Sequence, residues 1–334
     1  MNKKLNNKRP ANISLNPSTI DWKICNKEEN SLISNALKIK GIIYKDFRNF
    51  DDIEGFYFIE QENNKNKFLK VVNPIDDEKQ FLAEEISNWL RNKKIETPPL
   101  IKKTKLMDLN RQPKSCYLYP YFEGRYCSES KEDLFKIGYE IGRMHKILNN
   151  YPAKNKIKLE SQKRHERLKE SLEKIRNNSF NRNKIPIKAL NILDKNNLPE
   201  ITDNNESQVL HGDLNKGNIL ITNKDNKVIF LDFEDTFSSW GDKKIEISFV
   251  IERFCLNSSN KDSKRLIDYF LNGYKTIFME FKIKEKIIYE ILKLINLRTL
   301  IVLSEVQEYN LWQIPPEEWD KFINLYLKAS NNYT

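Results

Sequence analysis

Residues 208 to 236, QVLHGDLNKGNILITNKDNKVIFLDFEDT, constrain this chain more than any other stretch. Two short apolar runs, QVL and NILIT, flank a polar loop that packs His211, Asp213 and Asn218 into eight residues. A third run, VIFLDF, ends at Asp232 with Glu234 close behind. Each run has strand length and β-branched character, and the NKDNK between the last two is turn chemistry. The spacing therefore predicts a β-hairpin with a polar loop at its entrance and carboxylates at its exit. Asp213, Asn218 and Asp232 then share one edge. Only nine glycines occur in 334 residues, below the usual frequency of about 7%. Two of them, Gly212 and Gly217, fall in this loop, which marks tight backbone there.

Phosphoryl transfer from a nucleotide needs such a set. One carboxylate must sit beside the attacking hydroxyl and take its proton, and oxygen ligands must hold Mg²⁺ against the phosphates. An Asp and an Asn five residues apart, with a second Asp arriving from the next strand, meet both needs. HGDLNKGNIL followed by FLDFED resembles the paired motifs of the aminoglycoside phosphotransferase and choline kinase group, small-molecule kinases that share the protein-kinase fold. The Asp-to-Asn spacing is also similar to the catalytic loop of protein kinases, with DFE where those have D-F-G. The resemblance implies an α+β, protein-kinase-like bilobal fold. A small N-lobe would hold an antiparallel sheet plus a helix, and a large, mainly helical C-lobe would carry the catalytic β-hairpin. The expected division is a polar tail over 1–30, a nucleotide-binding N-lobe over 31–121 and a catalytic, substrate-binding C-lobe over 122–330.

Composition narrows the function classes. The hydrophobic fraction of 39% and aromatic fraction of 11% suit a folded globular chain. A net charge of +10 invites a nucleic-acid reading. Lysine is spread through every segment, however, and no basic cluster with interleaved aromatics stands out, so no nucleic-acid partner is expected. Cys25, Cys116, Cys127 and Cys255 lie far apart without a C-x-x-C pair and read as reduced thiols of a cytoplasmic protein. The start, MNKKLNNKRPANIS, is charged with no apolar core after it and reads as a frayed tail. No apolar run approaches membrane-spanning length. His145, His165 and His211 lack metal-ligand spacing. Oligomeric state is not legible.

From residue 31 onward, SLISNALKIKG predicts a helical turn or two, and IIYKDF, GFYFIE and KFLKVV predict an antiparallel sheet. Residues 77 to 92 predict a helix whose apolar face is Phe81, Leu82, Ile86, Trp89 and Leu90, with Glu85 set within it. An acid there wants a cationic partner, and Lys70 is the natural candidate. One register step would turn Glu84 or Glu78 inward instead. KIETPPLI and SCYLYPYFEGR predict further strands. The 131–148 segment is a buried helix in which His145 is a hydrogen-bonded core residue. Helices are also predicted within 155–205 and over 262–281, 284–308 and 316–329, with Trp312 and Trp319 filling a core near the last.

The resemblance implies roles for particular residues. Lys70 would hold the non-transferred phosphates of ATP, with Glu85 fixing it, and Tyr119, Tyr121 and Phe122 would form the adenine-binding connection. Asn218 and Asp232 would bind Mg²⁺, and Asp213 would be the base for a small-molecule hydroxyl acceptor such as a sugar, an amino alcohol or an aminoglycoside-like compound. Glu246-Ile247-Ser248 stands where the family often has an Asp-Leu-Ala type segment, which keeps the charge and lengthens its reach. The connection KDFRNFDDIEG departs from the small-residue-rich turn that such kinases lay over the phosphates, leaving Arg48 and its neighbours to cover them. That departure favours an alternative, a catalytically weak or inactive scaffold of the same fold, as among spore-coat relatives. The intact Asp213, Asn218 and Asp232 favour the enzyme.

Overall fold

The alternating runs of the first third become strands as expected. The structure, a computed structural model, describes residues 22–46, 53–62, 65–200, 203–256, 262–311 and 313–331. In chain order they form β1 (Trp22–Ile24), α1 (Lys27–Leu37), β2 (Ile42–Asp46), β3 (Gly55–Glu60), β4 (Lys67–Val72), α2 (Asp77–Asn92), β5 (Lys102–Met107), β6 (Pro113–Pro120) and β7 (Gly124–Arg125). Then come α3 (Lys131–Leu148), α4 (Lys154–Arg176), α5 (Ile187–Lys195), β8 (Ser207–Val209), β9 (Ile219–Thr222), β10 (Val228–Phe230) and β11 (Trp240–Asp242). The helices α6 (Lys243–Ile251), α7 (Ser263–Lys275), α8 (Glu285–Glu308) and α9 (Pro316–Asn331) follow. The chain divides into two compact units: one holds the described residues from Trp22 to Cys127 together with Lys216–Asp235, and the other holds Ser128–Asn215 and the described residues from Thr236 onward. Residues 216–235, expected with the helices, thus cluster with the large sheet. No described helix is long and apolar enough to cross a membrane.

The first unit is built on a six-stranded sheet in the order β1-β2-β3-β4-β6-β5. Its register separates two faces, because directly paired residues point the same way and successive ones alternate. Tyr57, Leu69 and Leu118 are paired across β3, β4 and β6. They are buried in a cluster with Ile33 and Leu37 of α1. Each such aliphatic side chain contributes roughly 1.5–3 kcal/mol by leaving water. The opposite face carries Phe56, Lys70 and Tyr117 in one row and Phe58, Phe68 and Tyr119 in the next. Lys70 is therefore turned away from the apolar core. A second sheet, β10-β9-β7, holds the predicted hairpin, with Ile219 opposite Phe230 and Ile221 opposite Val228.

Three expectations shift. Residues 22–30, expected within a polar tail, form β1 and the start of α1, which Asn26 caps by accepting the Glu29 amide at 2.8 Å. KIETPPLI is irregular, since Pro98 and Pro99 cannot donate to a ladder. The strand begins instead at Lys102, on an edge where its polar alternation meets solvent. The helix α2 is turned by about one position: Phe81 is 56% exposed, and Gln80, Leu82, Ala83, Ile86, Ser87 and Leu90 are the buried set. Arg48 and Trp312 lie outside the described residues.

In the second unit, Leu168 and Leu172 of α4, Leu297 and Leu300 of α8 and Trp319 and Phe322 of α9 belong to one buried cluster. Trp319 fills a core as expected. The helices α3 and α7 approach each other through glycines. A Cβ on Gly138 would stand 2.1 Å from the Phe270 carbonyl oxygen, and one on Gly273 would stand 1.9 Å from that of Phe135. Helix propensity favours Ala over Gly by about 1 kcal/mol, but overpacking costs about 1–3 kcal/mol and here meets backbone that cannot swing aside. Gly273→Ala is accordingly expected to lower unfolding stability by ~1–3 kcal/mol, read as a lower urea midpoint. An unchanged or raised midpoint would mean the two helices move apart freely.

Candidate active site

The aromatic face of the large sheet, α2 and the hairpin enclose a cleft of about 920 Å³, counting the solvent at its mouth. Its walls are largely apolar: Trp22, Phe56, Phe68, Tyr121 and Phe122 line it, and Phe56 and Phe68 stack with centroids 5.7 Å apart. Such a slot suits a flat heteroaromatic ring. Lys70, Glu84, Asn218 and Asp232 also line it. The cleft therefore gathers Lys70, Tyr119, Tyr121, Phe122, Asn218 and Asp232 from the expected set. It also includes Trp22, which sequence reasoning left in the tail. The signal was weak, one tryptophan in a three-residue strand.

Strand β4 delivers Lys70 to this face, and the hairpin delivers the acids. The Lys70 side chain is 12% exposed, with Nζ 3.1 Å from Asp232 Oδ1 and in contact with Glu234. Burial works against its charge, but Asp232 and then Glu234 outweigh burial and hold the ammonium above its ordinary pKa. Burial lifts Glu234 above the usual carboxylate value, against the pull of Lys70 and reinforced by Asp232. Asp232 has φ +58°, left-handed backbone that Asp tolerates better than most residues. The Leu231 amide donates to the Asn218 carbonyl at 2.9 Å, which sets Asn218 beside the segment bearing Asp232.

The partner expected for Lys70 requires correction. Glu85 is exposed and is not part of the cleft. The one-position turn of α2 brings Glu84 into the lining in its place. Glu84 receives the Tyr119 hydroxyl and, at 3.2 Å, the Gln80 amide. Burial raises its pKa despite these hydrogen bonds. Lys70 has its direct ion pairs with Asp232 and Glu234. Tyr119, which Gln80 also contacts at 3.0 Å, is fixed by α2 through its hydroxyl while its ring faces the cleft.

The polar loop ahead of the hairpin starts in the helical unit. Gly212 has φ +93°, a conformation that L side chains rarely adopt. Two amides, those of His211 and Gly212, donate to the buried Glu246 carboxylate at 3.1 and 2.6 Å. His145 Nε2 lies 2.8 Å from the same carboxylate, and its Nδ1 lies 2.9 Å from the Tyr274 hydroxyl. A carboxylate only accepts, so Nε2 carries the proton of that bond, while Nδ1 meets the Tyr274 hydroxyl. Burial opposes the Glu246 charge. Hydrogen bonds and charge from His145, then His211 and the Gly212 amide, overcome burial and leave its pKa below the ordinary value. Asp213 is half-buried, its Oδ2 accepting from Asn215 Nδ2 at 2.8 Å and its amide donating to His211 Nδ1 at 3.3 Å.

A family model described as the phosphotransferase enzyme family matches residues 51–276, more than half of the chain. The chain belongs to this family. As a member it is a phosphotransferase, and its α+β, protein-kinase-like fold agrees with solved structures. One is APH(2")-IIia in its complex with GDP and kanamycin, 13% identical with a TM-score of 0.57 over 92% of this chain and 99% of that one. Another is the amicoumacin kinase hAmiN in complex with AMP-PNP, Ca²⁺ and Ami, 17% identical with a TM-score of 0.53 over 85% and 87% of the two chains. At these identities the likeness concerns the fold. No curated protein sequence matches.

Two outcomes follow from this geometry. Glu246→Ala strands two amides and an imidazole and is expected to cost about 3–5 kcal/mol. Because the Glu246 pKa is depressed on folding, its contribution is present above the ordinary glutamate value of 4.5 and is lost as pH falls below it. Urea midpoints of wild type and variant should therefore converge toward pH 3.5, and a constant gap from pH 7 to 3.5 would contradict the assignment. For α2, Glu84→Ala should cost ~1–3 kcal/mol by stripping the buried Tyr119 hydroxyl of its acceptor. Glu85→Ala should stay within about 0.5 kcal/mol; the reverse order would restore the original register.

Proposed function

We propose that the chain transfers the γ-phosphoryl group of ATP to the hydroxyl of a small molecule. The observation that carries this reading is the cleft in which one nearly buried ammonium, Lys70, meets the hairpin carboxylates beneath a slot of aromatic rings. The rings suit a nucleobase. Lys70 is charged across the working pH range because its pKa is raised, so it can receive the oxygens of the non-transferred phosphates when they arrive. Glu84, hydrogen-bonded to Tyr119, lines the same wall.

Asp213 is assigned the proton. The acceptor oxygen attacks the γ-phosphorus, the bond from that phosphorus to the bridging oxygen breaks, ADP leaves with the bond electrons, and the hydroxyl proton passes to the Asp213 carboxylate. Asn215 holds one oxygen of that carboxylate, and Glu246 holds the backbone just before it, so the base is oriented before the acceptor binds. Asn218 and Asp232 offer hard oxygen donors, and the Leu231 amide bond keeps their segments side by side, which fits Mg²⁺ completed by phosphate and water. A bound Mg²⁺ would neutralise charge on the transferring group.

The test is ATP consumption against a panel of hydroxyl compounds. Asp213→Asn is expected to lower kcat by about 10²–10⁴-fold with nucleotide affinity retained in a thermal-shift titration. Full turnover in that variant would remove Asp213 from its role. Wild-type protein that neither binds nor consumes ATP would end the reading.

A further inference from the structure

Among the described residues of the helical unit, three basic side chains, Arg164, His165 and Arg298, have no carboxylate ion-paired to them. Arg298 of α8 has its Nε buried without a hydrogen-bond partner. His165 of α4, on which the Arg298 charge acts, is 5% exposed, and neither of its ring nitrogens has a partner. Arg164, half-buried, donates from Nη1 to Ser238 Oγ at 3.3 Å. No ion pair is made by Arg164 or Arg298 among the described residues. Burial and the neighbouring Arg164 push the Arg298 guanidinium down to about 10. Burial, then Arg298 and Lys169, hold the His165 imidazole below its ordinary value. Glu200 and Glu166 act the other way on His165, but Glu200 pairs with Lys169 and Glu166 is exposed.

Neighbouring basic residues of α4 are matched. Lys158 pairs with Asp203, Lys163 with Glu160, Arg167 with Glu305 and Arg176 with Glu173. The exception lies where α4 meets the loop of the proposed base. Ser239, next to the serine that Arg164 holds, accepts the Leu210 amide at 2.9 Å. Thr236 donates to the His211 carbonyl at 2.8 Å, and Asp213 is two residues on. Two arginines and an unpartnered imidazole, crowded together and partly desolvated, are costly unless an anion joins them. Guanidinium groups match carboxylate and phosphate oxygens in paired geometry.

We propose that Arg164, His165 and Arg298 receive a compact oxyanion, a carboxylate or phosphate group carried by the acceptor. The acceptor is then an anionic hydroxyl compound rather than a cationic amine. This rests on the phosphotransferase reading for the word acceptor; the anion site itself does not.

The experiment keeps the two apart. Thermal-shift titrations with inorganic phosphate and with D-glycerate, in saturating ADP and Mg²⁺ to fill the nucleotide cleft, are expected to give a saturable rise in Tm. The rise should weaken at least 10-fold in Arg298→Met and in Arg164→Ala, and persist in Asp213→Asn. Response to phosphate alone marks a phosphate ester, and response to glycerate alone marks a carboxylate. Should Arg298→Met fail to fold, Arg164→Ala, at a half-exposed position, carries the test. No saturable response in wild type, or equal responses in wild type and both variants, overturns the proposal. In turnover, glycerate and gluconate should be consumed faster than glycerol and glucose, with the preference lost in Arg164→Ala; preference for neutral or amino compounds overturns the acceptor assignment. Anion binding without ATP consumption would sink the phosphotransferase reading and leave the site standing.

Discussion

The Lys70 ammonium holds together parts of the first unit that the chain separates widely. Its ion pair with Asp232 joins residues 162 positions apart, linking the large sheet to the hairpin sheet. Burial, reinforced by the neighbouring Asp232 carboxylate, raises the Glu234 pKa against the pull of Lys70. On the proposed reading, a polyphosphate would offer the ammonium other oxygens and a divalent cation would offer the carboxylates another positive charge, so the same side chains would exchange partners.

Two chemical environments face the two sides of the central strands. Tyr57, Leu69 and Leu118 close a dry core against α1, while Phe56, Phe68 and Tyr119 present ring faces to a cleft. Period-two alternation accounts for this division, since one strand can bury Leu69 and still aim Lys70 the opposite way. Core packing and the lining of the cleft are thus carried by alternate side chains of the same strands.

The hairpin was legible in the sequence because its strands are short, β-branched and bounded by turn residues, and because the Asp-to-Asn spacing belongs to few other arrangements. The three early strands were legible for the same reason. Residues that depend on rotation about an axis were not. Glu84 and Glu85 differ by one helical step, and the apolar pattern of α2 admits Phe81 on either side of it. KIETPPLI carries apolar residues at strand spacing, and only the two prolines hinted that it forms no strand. Glu246 could be matched to a family position, but its hold on two loop amides depends on backbone direction, which no composition records. Arg164 and Arg298 come from distant helices, and nothing in their spacing marks them as neighbours.

The glycine crossing of α3 and α7 reaches further than its own packing. His145 lies on α3 and Tyr274 on α7, adjacent to Gly273, and their hydrogen bond spans the crossing. That bond aims the imidazole at Glu246, which in turn grips the amides of His211 and Gly212. Absent side chains at a helix contact therefore set the aim of a loop several links away. Drift at that contact would detune the loop without touching a single residue in it.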